Sequence, residues 1–315
     1  MGRLIATRLL TLVPMMFLIT TVVFFLVHLI PGDPARLMVG GAHITQANLE
    51  NIRKAYRLDR PLPEQYGLWV SDLLHGNLGK SYRQRTEVRT LILERLPTTL
   101  KLALFSFIIS LAIAVPLGIV SAVRRNSWLD VGATIFALVG ASSPVFFTAI
   151  LLILLFSFKL QWLPSIGAGD GGWDEFIHLL LPSVALGISL AAITTRITRS
   201  AMVEALTQDY IETARAKGLP SRSIVLKHAL RNALVPIVTV AGLQFGFLIV
   251  GAVLVEQVFG LGGLGSLLIQ AVQVRDYPVV QGATIFIAAM FILINLVVDV
   301  LYGVIDPRVR YGGRA

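Results

Sequence analysis

The stretch that decides the fold is residues 9–30, LLTLVPMMFLITTVVFFLVHLI, in a chain of 315 residues. It contains no Asp, Glu, Lys or Arg. A run of roughly 20 apolar residues spans the hydrocarbon core of a bilayer, whereas the apolar region of a signal peptide has only about 7–15 residues. The run therefore predicts a retained membrane-spanning helix, although Arg3 and Arg8 before it resemble the start of a signal peptide.

Further apolar blocks, all free of formal charge and near or above the spanning length, follow at 102–123, 131–158, 176–195, 233–255 and 277–298. Only 14% of the residues are charged, against about 25% in a typical soluble protein. The sequence thus predicts an all-α membrane protein with six transmembrane helices. Prolines inside these blocks are interpreted as kinks and not as breaks, because bilayer helices tolerate them: Pro14, Pro116, Pro144, Pro182 and Pro236.

The short loops predict the orientation. Basic residues gather on one side, at Arg3, Arg8, Arg124, Arg125, the segment 196–231, Arg308, Arg310 and Arg314. Acidic residues dominate the other side, at Asp170, Asp174, Glu175 and Asp276. Since cytoplasmic loops carry the excess of Lys and Arg, both termini are expected in the cytoplasm of a bacterium, with the chain in the inner membrane. The net charge of +9 is then a topology signal, and nucleic-acid binding loses its support.

The sequence divides into four parts. Residues 1–30 form the tail and first helix, 31–97 an external helical subdomain, 98–305 a core of five transmembrane helices, and 306–315 a cytoplasmic tail. In the external subdomain the capping signals predict helices over 45–57, 61–75 and 86–96, the last capped by Thr86 and stopped by Pro97.

Residues 199–232 predict a cytoplasmic helical hairpin between the fourth and fifth spans. Apolar residues from Val203 to Ala214 follow helical spacing, Gly218 suits the left-handed residue that ends a helix, and Pro220 prevents continuation. Ser221 or Ser223 is expected to cap the second helix. A DNA-reading helix–turn–helix is excluded because both ends are tied to membrane spans. A helix lying on anionic lipid is disfavoured by Glu and Asp on the polar face, and docking into a groove of a soluble partner fits better.

The run 212–218, ETARAKG, resembles the EAA loop of bacterial ABC importer permeases, although Thr213 departs from the triplet and the downstream Ile-x-Leu-Pro is matched only loosely by 232–236, NALVP. Other stretches resemble the dipeptide, oligopeptide, glutathione and nickel importer branch of that family: 31–34 (PGDP), 95–100 (RLPTTL), 209–210 (DY), 275–278 (RDYP) and 306–308 (DPR). Together they cover nearly the whole chain.

This resemblance implies a non-enzymatic permease subunit that works with a homologous second permease, two cytoplasmic ATPase subunits and an external solute-binding protein. The chain contains no GxxxxGK[ST] phosphate-binding loop, so ATP and Mg²⁺ would be used by the partner ATPases, and no cofactor is expected in this chain. Membrane lipid is the remaining partner. Peptides are the expected solute by family frequency alone, with glutathione next and nickel complexes third.

The resemblance also suggests site residues. The ATPase-coupling set comprises Asp209, Tyr210, Glu212, Ala214, Arg215, Lys217, Gly218 and Leu219. Polar side chains inside spans suggest Gln244 and Asn295 for the translocation path, with an inter-helical hydrogen bond as the alternative for each. The external docking or gate set comprises Pro31, Gly32, Asp33, Pro34, Asp276 and Tyr277.

Other function classes find less support. Gly260, Gly262 and Gly265 match a dinucleotide-binding pattern literally, but no strand precedes them, and a flexible external loop is expected instead. The histidines show no metal-binding spacing, and Ser142 and Ser143 lack the surroundings of a hydrolase nucleophile. An ion-coupled transporter or channel remains the alternative, yet it would need ionisable groups near the midplane, and the spans contain none there.

Overall fold

Long helices account for most of the chain. The computed structural model describes residues 2–29, 35–36 and 46–305. Five helical stretches in these residues are long and apolar enough to cross a membrane: Leu10–His28, Val88–Val123, Gly172–Leu206, Ser221–Ile249 and Tyr277–Val298. They confirm five of the six predicted spans. In chain order the first helices are α1 (Gly2–His28), α2 (Gln46–Ala55), α3 (Leu62–Leu74) and α4 (Val88–Val123).

The third predicted span is a bent pair of helices. Helix α5 (Trp128–Ser142) is followed by α6 (Val145–Leu152), which continues as a π-helical segment, Ile153–Lys159, and the two parts meet at 108°. Ser143 is extended, with φ −80° and ψ 126°, and Pro144 precedes α6. A residue before proline is pushed out of the helical region, and proline donates no backbone hydrogen bond. The expectation of a kink was therefore wrong at Pro144. The other four prolines lie inside helices, as predicted.

The predicted external subdomain contains two of its three predicted helices as separate elements, α2 and α3. The third is the first part of α4, which runs through Pro97 without stopping and crosses the predicted boundary between residues 97 and 98. Glu87, not Thr86, occupies the N-cap position. Val88, Leu91 and Ile92 are buried against α10 and α11, defined below, and we infer that this packing holds the helix together where the proline removes one backbone bond.

The predicted cytoplasmic hairpin begins in the last turns of α7 (Gly172–Leu206). Helix α8 (Asp209–Ala216) comes after a break at Thr207 and Gln208, so the expected single helix through 203–214 is divided in two. The Thr207 hydroxyl donates to the carbonyl of Glu204, 2.9 Å away, and such local bonds compete with helix continuation. Helix α9 starts at Ser221–Ser223, passes through a π-helical turn, Ile224–Ala229, and continues as Leu230–Phe259. Pro220 precedes it, and neither serine caps it with a side chain, contrary to expectation.

The glycine-rich segment after α9, for which a flexible external loop was expected, is a short turn with close packing. Gly260 ends α9 in the left-handed conformation, with φ 60° and ψ 35°. Helix α10 (Leu264–Gln273) then leaves at 79° to the end of α9, and α11 (Tyr277–Ile305) follows. A β-carbon at Gly265 would collide with the backbone of Val253. If each bent pair crosses the membrane as one span, the described residues contain up to seven candidates.

Small residues bring the helices of this subunit together. A β-carbon at Gly118 of α4 would lie 2.5 Å from Cβ of Thr198 of α7, and one at Gly242 of α9 would lie 2.5 Å from a methyl carbon of Val298 of α11. One at Gly246 would lie 2.9 Å from Oδ1 of Asn295. Backbones that approach this closely require small side chains. The GxxxG pair Gly242 and Gly246 of α9 therefore packs against α11 within the subunit.

Candidate functional site

The turn of the predicted cytoplasmic hairpin is built from two backbone hydrogen bonds that close α8. The amide of Gly218 donates to the carbonyl of Arg215 at 2.9 Å, and the amide of Leu219 donates to the carbonyl of Ala214 at 3.3 Å. This pair of bonds defines a Schellman ending, in which one residue adopts the left-handed conformation. Gly218 does so with φ 71°. The sequence-based position of the turn is therefore confirmed.

One face of α8 is buried and the other is open. Ile211 and Ala214 pack into a cluster with Met202 of α7 and Ile224 of α9. The Tyr210 hydroxyl donates to the carbonyl of Ala205 at 3.3 Å. The rest of the predicted coupling set is exposed: Asp209, Tyr210, Glu212, Arg215, Lys217, Gly218 and Leu219. The apolar face of α8 packs against both neighbouring helices. The hairpin is therefore a charged, firmly held projection at the end of the membrane spans.

The two predicted path residues both make contacts between or within helices. The Gln244 amide donates to the Thr194 hydroxyl at 2.8 Å and joins α9 to α7, while its Oε1 has no hydrogen-bond partner among the described residues. The Asn295 amide donates to the carbonyl of Phe291, one turn earlier in α11, at 3.0 Å. Gln244 is buried and Asn295 is partly buried. The inter-helical hydrogen bond considered as an alternative is therefore present at Gln244.

A buried carboxylate joins three helices at the end of the spans opposite the hairpin. Glu256 of α9 has no exposed surface. Its carboxylate accepts hydrogen bonds from the Thr99 hydroxyl of α4 at 2.5 Å, from the amide of Gly265 at 2.8 Å and from the amide of Ser266 at 3.1 Å. Two of these donors belong to the first turn of α10, where unpaired amides and the helix dipole favour an anion. Arg95 of α4 adds a bond of 2.8 Å to the carbonyl of Gly262.

A second buried carboxylate, Asp276, ties the external subdomain to the membrane helices. It accepts from the Ser81 hydroxyl at 2.5 Å and from the amides of Tyr82 and Arg83 at 3.3 and 3.2 Å. Burial, then the nearby Asp276 charge, raises the pKa of the Tyr56 phenol above its usual value, and that phenol donates to the carbonyl of Lys80. Asp276 and Tyr277 of the predicted gate set are thus buried. The other members, Pro31, Gly32, Asp33 and Pro34, lie outside the described residues.

Sequence reasoning missed two of the polar clusters. Glu256 lies one residue beyond a charge-free block and four residues before Gly260 of the glycine-rich turn, and this position was the signal that could have marked it as a helix-capping carboxylate. Asp130 pairs with Arg199 through two hydrogen bonds of 2.6 and 2.8 Å and accepts from the Ser121 hydroxyl at 2.5 Å. Nothing in the linear spacing of these three residues points to their meeting.

Comparison with family models shows to which family the chain belongs. Residues 114–311 match the model of the family described as the binding-protein-dependent transport system inner membrane component. The chain belongs to this family. Residues 1–103 match the companion model for the N-terminal part of such membrane components. The permease is therefore a non-enzymatic subunit of an ABC importer and a multi-pass protein of the inner membrane, as its sequence predicted.

Relatives of the permease extend over almost its full length. The glutathione transport system permease protein GsiC of Escherichia coli O6:H1 is 45% identical over 304 residues, which cover 96% of this chain and 97% of the relative. The protein of the same name from Pectobacterium atrosepticum is 45% identical over 305 residues, with the same coverage.

Solved structures show the same fold. A chain of the MetNI methionine ABC transporter in an inward-facing conformation superposes with a TM-score of 0.57 at 21% sequence identity, over 69% of this permease and 96% of that chain. A second crystal form of that transporter gives a TM-score of 0.54 at 20% identity. Both comparisons bear on the fold of the permease alone.

Proposed function

We propose that this permease forms, with a homologous second permease, the translocation path for glutathione delivered by an external solute-binding protein. The observation that carries the proposal is the identity of 45% over 96% of the chain to a permease of a glutathione transport system. Di- and oligopeptides, which family frequency alone had placed first, become the second candidate. Nickel complexes, which the sequence placed third, stay the third candidate.

The exposed hairpin supports a specific coupling arrangement. Its charged face would dock into a groove of one of two partner ATPase subunits, which would use ATP and Mg²⁺. Ile211 and Ala214 anchor α8 to α7 and α9, so displacement of the hairpin would be passed directly to two membrane helices as a rigid-body movement. The path residues Gln244 and Asn295 lie on α9 and α11, and we assign both a role beside the path.

We infer that the two buried carboxylates form part of a gate at the external end. Asp276 fixes the external subdomain to the junction of α10 and α11, and Glu256 fixes α10 to α4 and α9. A solute-binding protein that docks outside would act on these joints through the external subdomain. The orientation that follows from the basic loops places this end outside and both termini in the cytoplasm.

Co-purification in mild detergent tests the proposal. We expect the tagged permease to bring down a second permease and ATPase subunits, and the assembly, supplied with its binding protein, to hydrolyse ATP faster with glutathione than with dipeptides of similar charge. Equal stimulation by dipeptides would contradict glutathione as the solute while leaving the importer intact. Uptake driven by an ion gradient without any ATPase would instead support the ion-coupled alternative.

A further inference from the structure

A cavity of about 320 Å³ opens between α4, α5 and α7, at the end of α4 opposite the external subdomain. The residues that line one end of the cavity are polar, and those that line the wall beyond it are apolar. The polar end contains Ser121, Thr195, Arg196 and Arg199. The apolar wall comes from one face of α5, with Ala133, Ala137 and Ala141 at intervals of four and Leu138 beside them. We refer to it as the α4–α5–α7 cavity.

Among the described residues, Arg196 at the polar end has no counter-ion. Arg199 is paired with Asp130 through two hydrogen bonds, so these two charges cancel. Arg196 is exposed and forms no ion pair within the described part of the chain. Thr195 beside it is 1% exposed, and its hydroxyl has no hydrogen-bond partner among the described residues. A buried hydroxyl without a partner is costly, and a bound acceptor would relieve that cost. The polar end therefore suits an anion with several acceptor oxygens.

The level of the cavity in the membrane indicates which kind of anion it would bind. Arg196 directly follows the charge-free block 176–195, which places it at the level where the hydrocarbon ends. Trp128, at the start of α5, is 80% exposed at the same end, as expected for an aromatic residue at the headgroup layer. From there the apolar wall runs along α5 towards the middle of the span, and Leu138 in this wall is 68% exposed. A molecule that fits must therefore have an anionic head and an apolar chain.

We propose that the α4–α5–α7 cavity binds an anionic phospholipid, with its phosphate against Arg196 and Thr195 and an acyl chain along Ala137, Leu138 and Ala141. Basic pockets between transmembrane helices on the cytoplasmic side are known to hold anionic lipid headgroups. A soluble phosphate would use only the polar end and would gain nothing from the apolar wall. The bound lipid would fill the space between α5 and α7 next to the Asp130–Arg199 pair.

Native mass spectrometry of the purified transporter tests this site, with phosphatidylglycerol as the probe and phosphatidylethanolamine as the lipid without net charge. We expect the wild type to retain one more phosphatidylglycerol per copy of this chain than Arg196→Gln, and to bind it about fivefold or more tightly, the factor expected from one interfacial cation. Arg125→Gln is the matched control. Arg125 is exposed at the same membrane end and is not among the cavity's lining residues, so this variant should retain lipid as the wild type does.

A second variant examines the apolar wall without changing charge. Ala141 is exposed, so Ala141→Phe should fold, fill the chain-binding part and also remove the extra lipid. Glycerol 3-phosphate at millimolar concentration should fail to displace phosphatidylglycerol from the wild type. The proposal is overturned if Arg196→Gln keeps its lipid, if Arg125→Gln loses as much, if phosphatidylethanolamine is retained equally, if Ala141→Phe binds normally, or if glycerol 3-phosphate alone competes.

Discussion

At the scale of single residues, the backbone conformation at position 218, and not a contact with other residues, explains why this residue is a glycine. Its φ of 71° lies in the left-handed region, which costs a residue with a β-carbon about 1 kcal/mol or more. Apart from the glycine and its two chain neighbours, no atom of the described residues lies within 4 Å of the position that a β-carbon would take. Substitution would therefore strain the backbone without producing a collision, and the strain would fall on the hydrogen bonds that close α8.

We expect Gly218→Ala to lower the stability of the hairpin turn by about 1 kcal/mol, and Gly218→Asn to lower it less, because asparagine tolerates the left-handed region better. Amide hydrogen exchange over 209–219 should quicken in the order wild type, Asn variant, Ala variant. Solute-stimulated ATPase activity of the assembled transporter should fall in the same order. Unchanged exchange in Gly218→Ala would show that the turn does not depend on this conformation.

At the scale of the helical element, proline illustrates what the sequence could and could not predict. The apolar blocks predicted five spans correctly, because charge-free runs of this length have few alternatives. Proline, however, lies within an unbroken helix at Pro97 and at a sharp bend at Pro144. The difference comes from packing that brings residues distant in the chain together, such as Val88 with Leu264 and Leu267. A single sequence contains no record of these contacts.

The candidate site divides in the same way. The hairpin turn was predictable because its signals, Gly218 and Pro220, are local. The joint around Glu256 was missed because it is made by Thr99 of α4 and the first turn of α10, which meet only in the folded chain. Burial of Asp276 escaped prediction for the same reason, since its partner Ser81 lies 195 residues away.

The joint between α4, α9 and α10 makes Glu256 important for stability. Glu256→Ala would leave two amides and one hydroxyl buried without an acceptor, and we expect a loss of about 2–4 kcal/mol in the free energy of unfolding. Glu256→Gln keeps one acceptor oxygen and should lose less. Thermal unfolding of the detergent-purified permease gives the measurement.

The matched control for Glu256 is Glu175→Gln, since Glu175 pairs with Lys101 through a contact of 2.6 Å in which the lysine side chain is 47% exposed. Ion pairs with this much exposure contribute about 0–1 kcal/mol. If Glu256→Ala were no less stable than Glu175→Gln, the joint would not hold α4, α9 and α10 together.

At the scale of the whole molecule, orientation in the membrane can be tested directly because the chain contains no cysteine. A single cysteine introduced at Asp170 or at Arg125, both exposed, provides one label site each. From the basic loops we expect a membrane-impermeant maleimide to label Asp170→Cys in intact spheroplasts and Arg125→Cys only after permeabilisation. Labelling of Arg125→Cys in intact spheroplasts would invert the topology and place the hairpin outside.

Helix α4 gives the permease a mechanical property of its own. It is one helix of 36 residues that begins in the external subdomain and ends beside the α4–α5–α7 cavity. At a rise of 1.5 Å per residue it is about 54 Å long, so a tilt of about 10° about one end moves the other by about 9 Å. Because α4 is continuous, it can transmit a small rotation from one side of the membrane to the other as a rigid body, without a series of separate contacts.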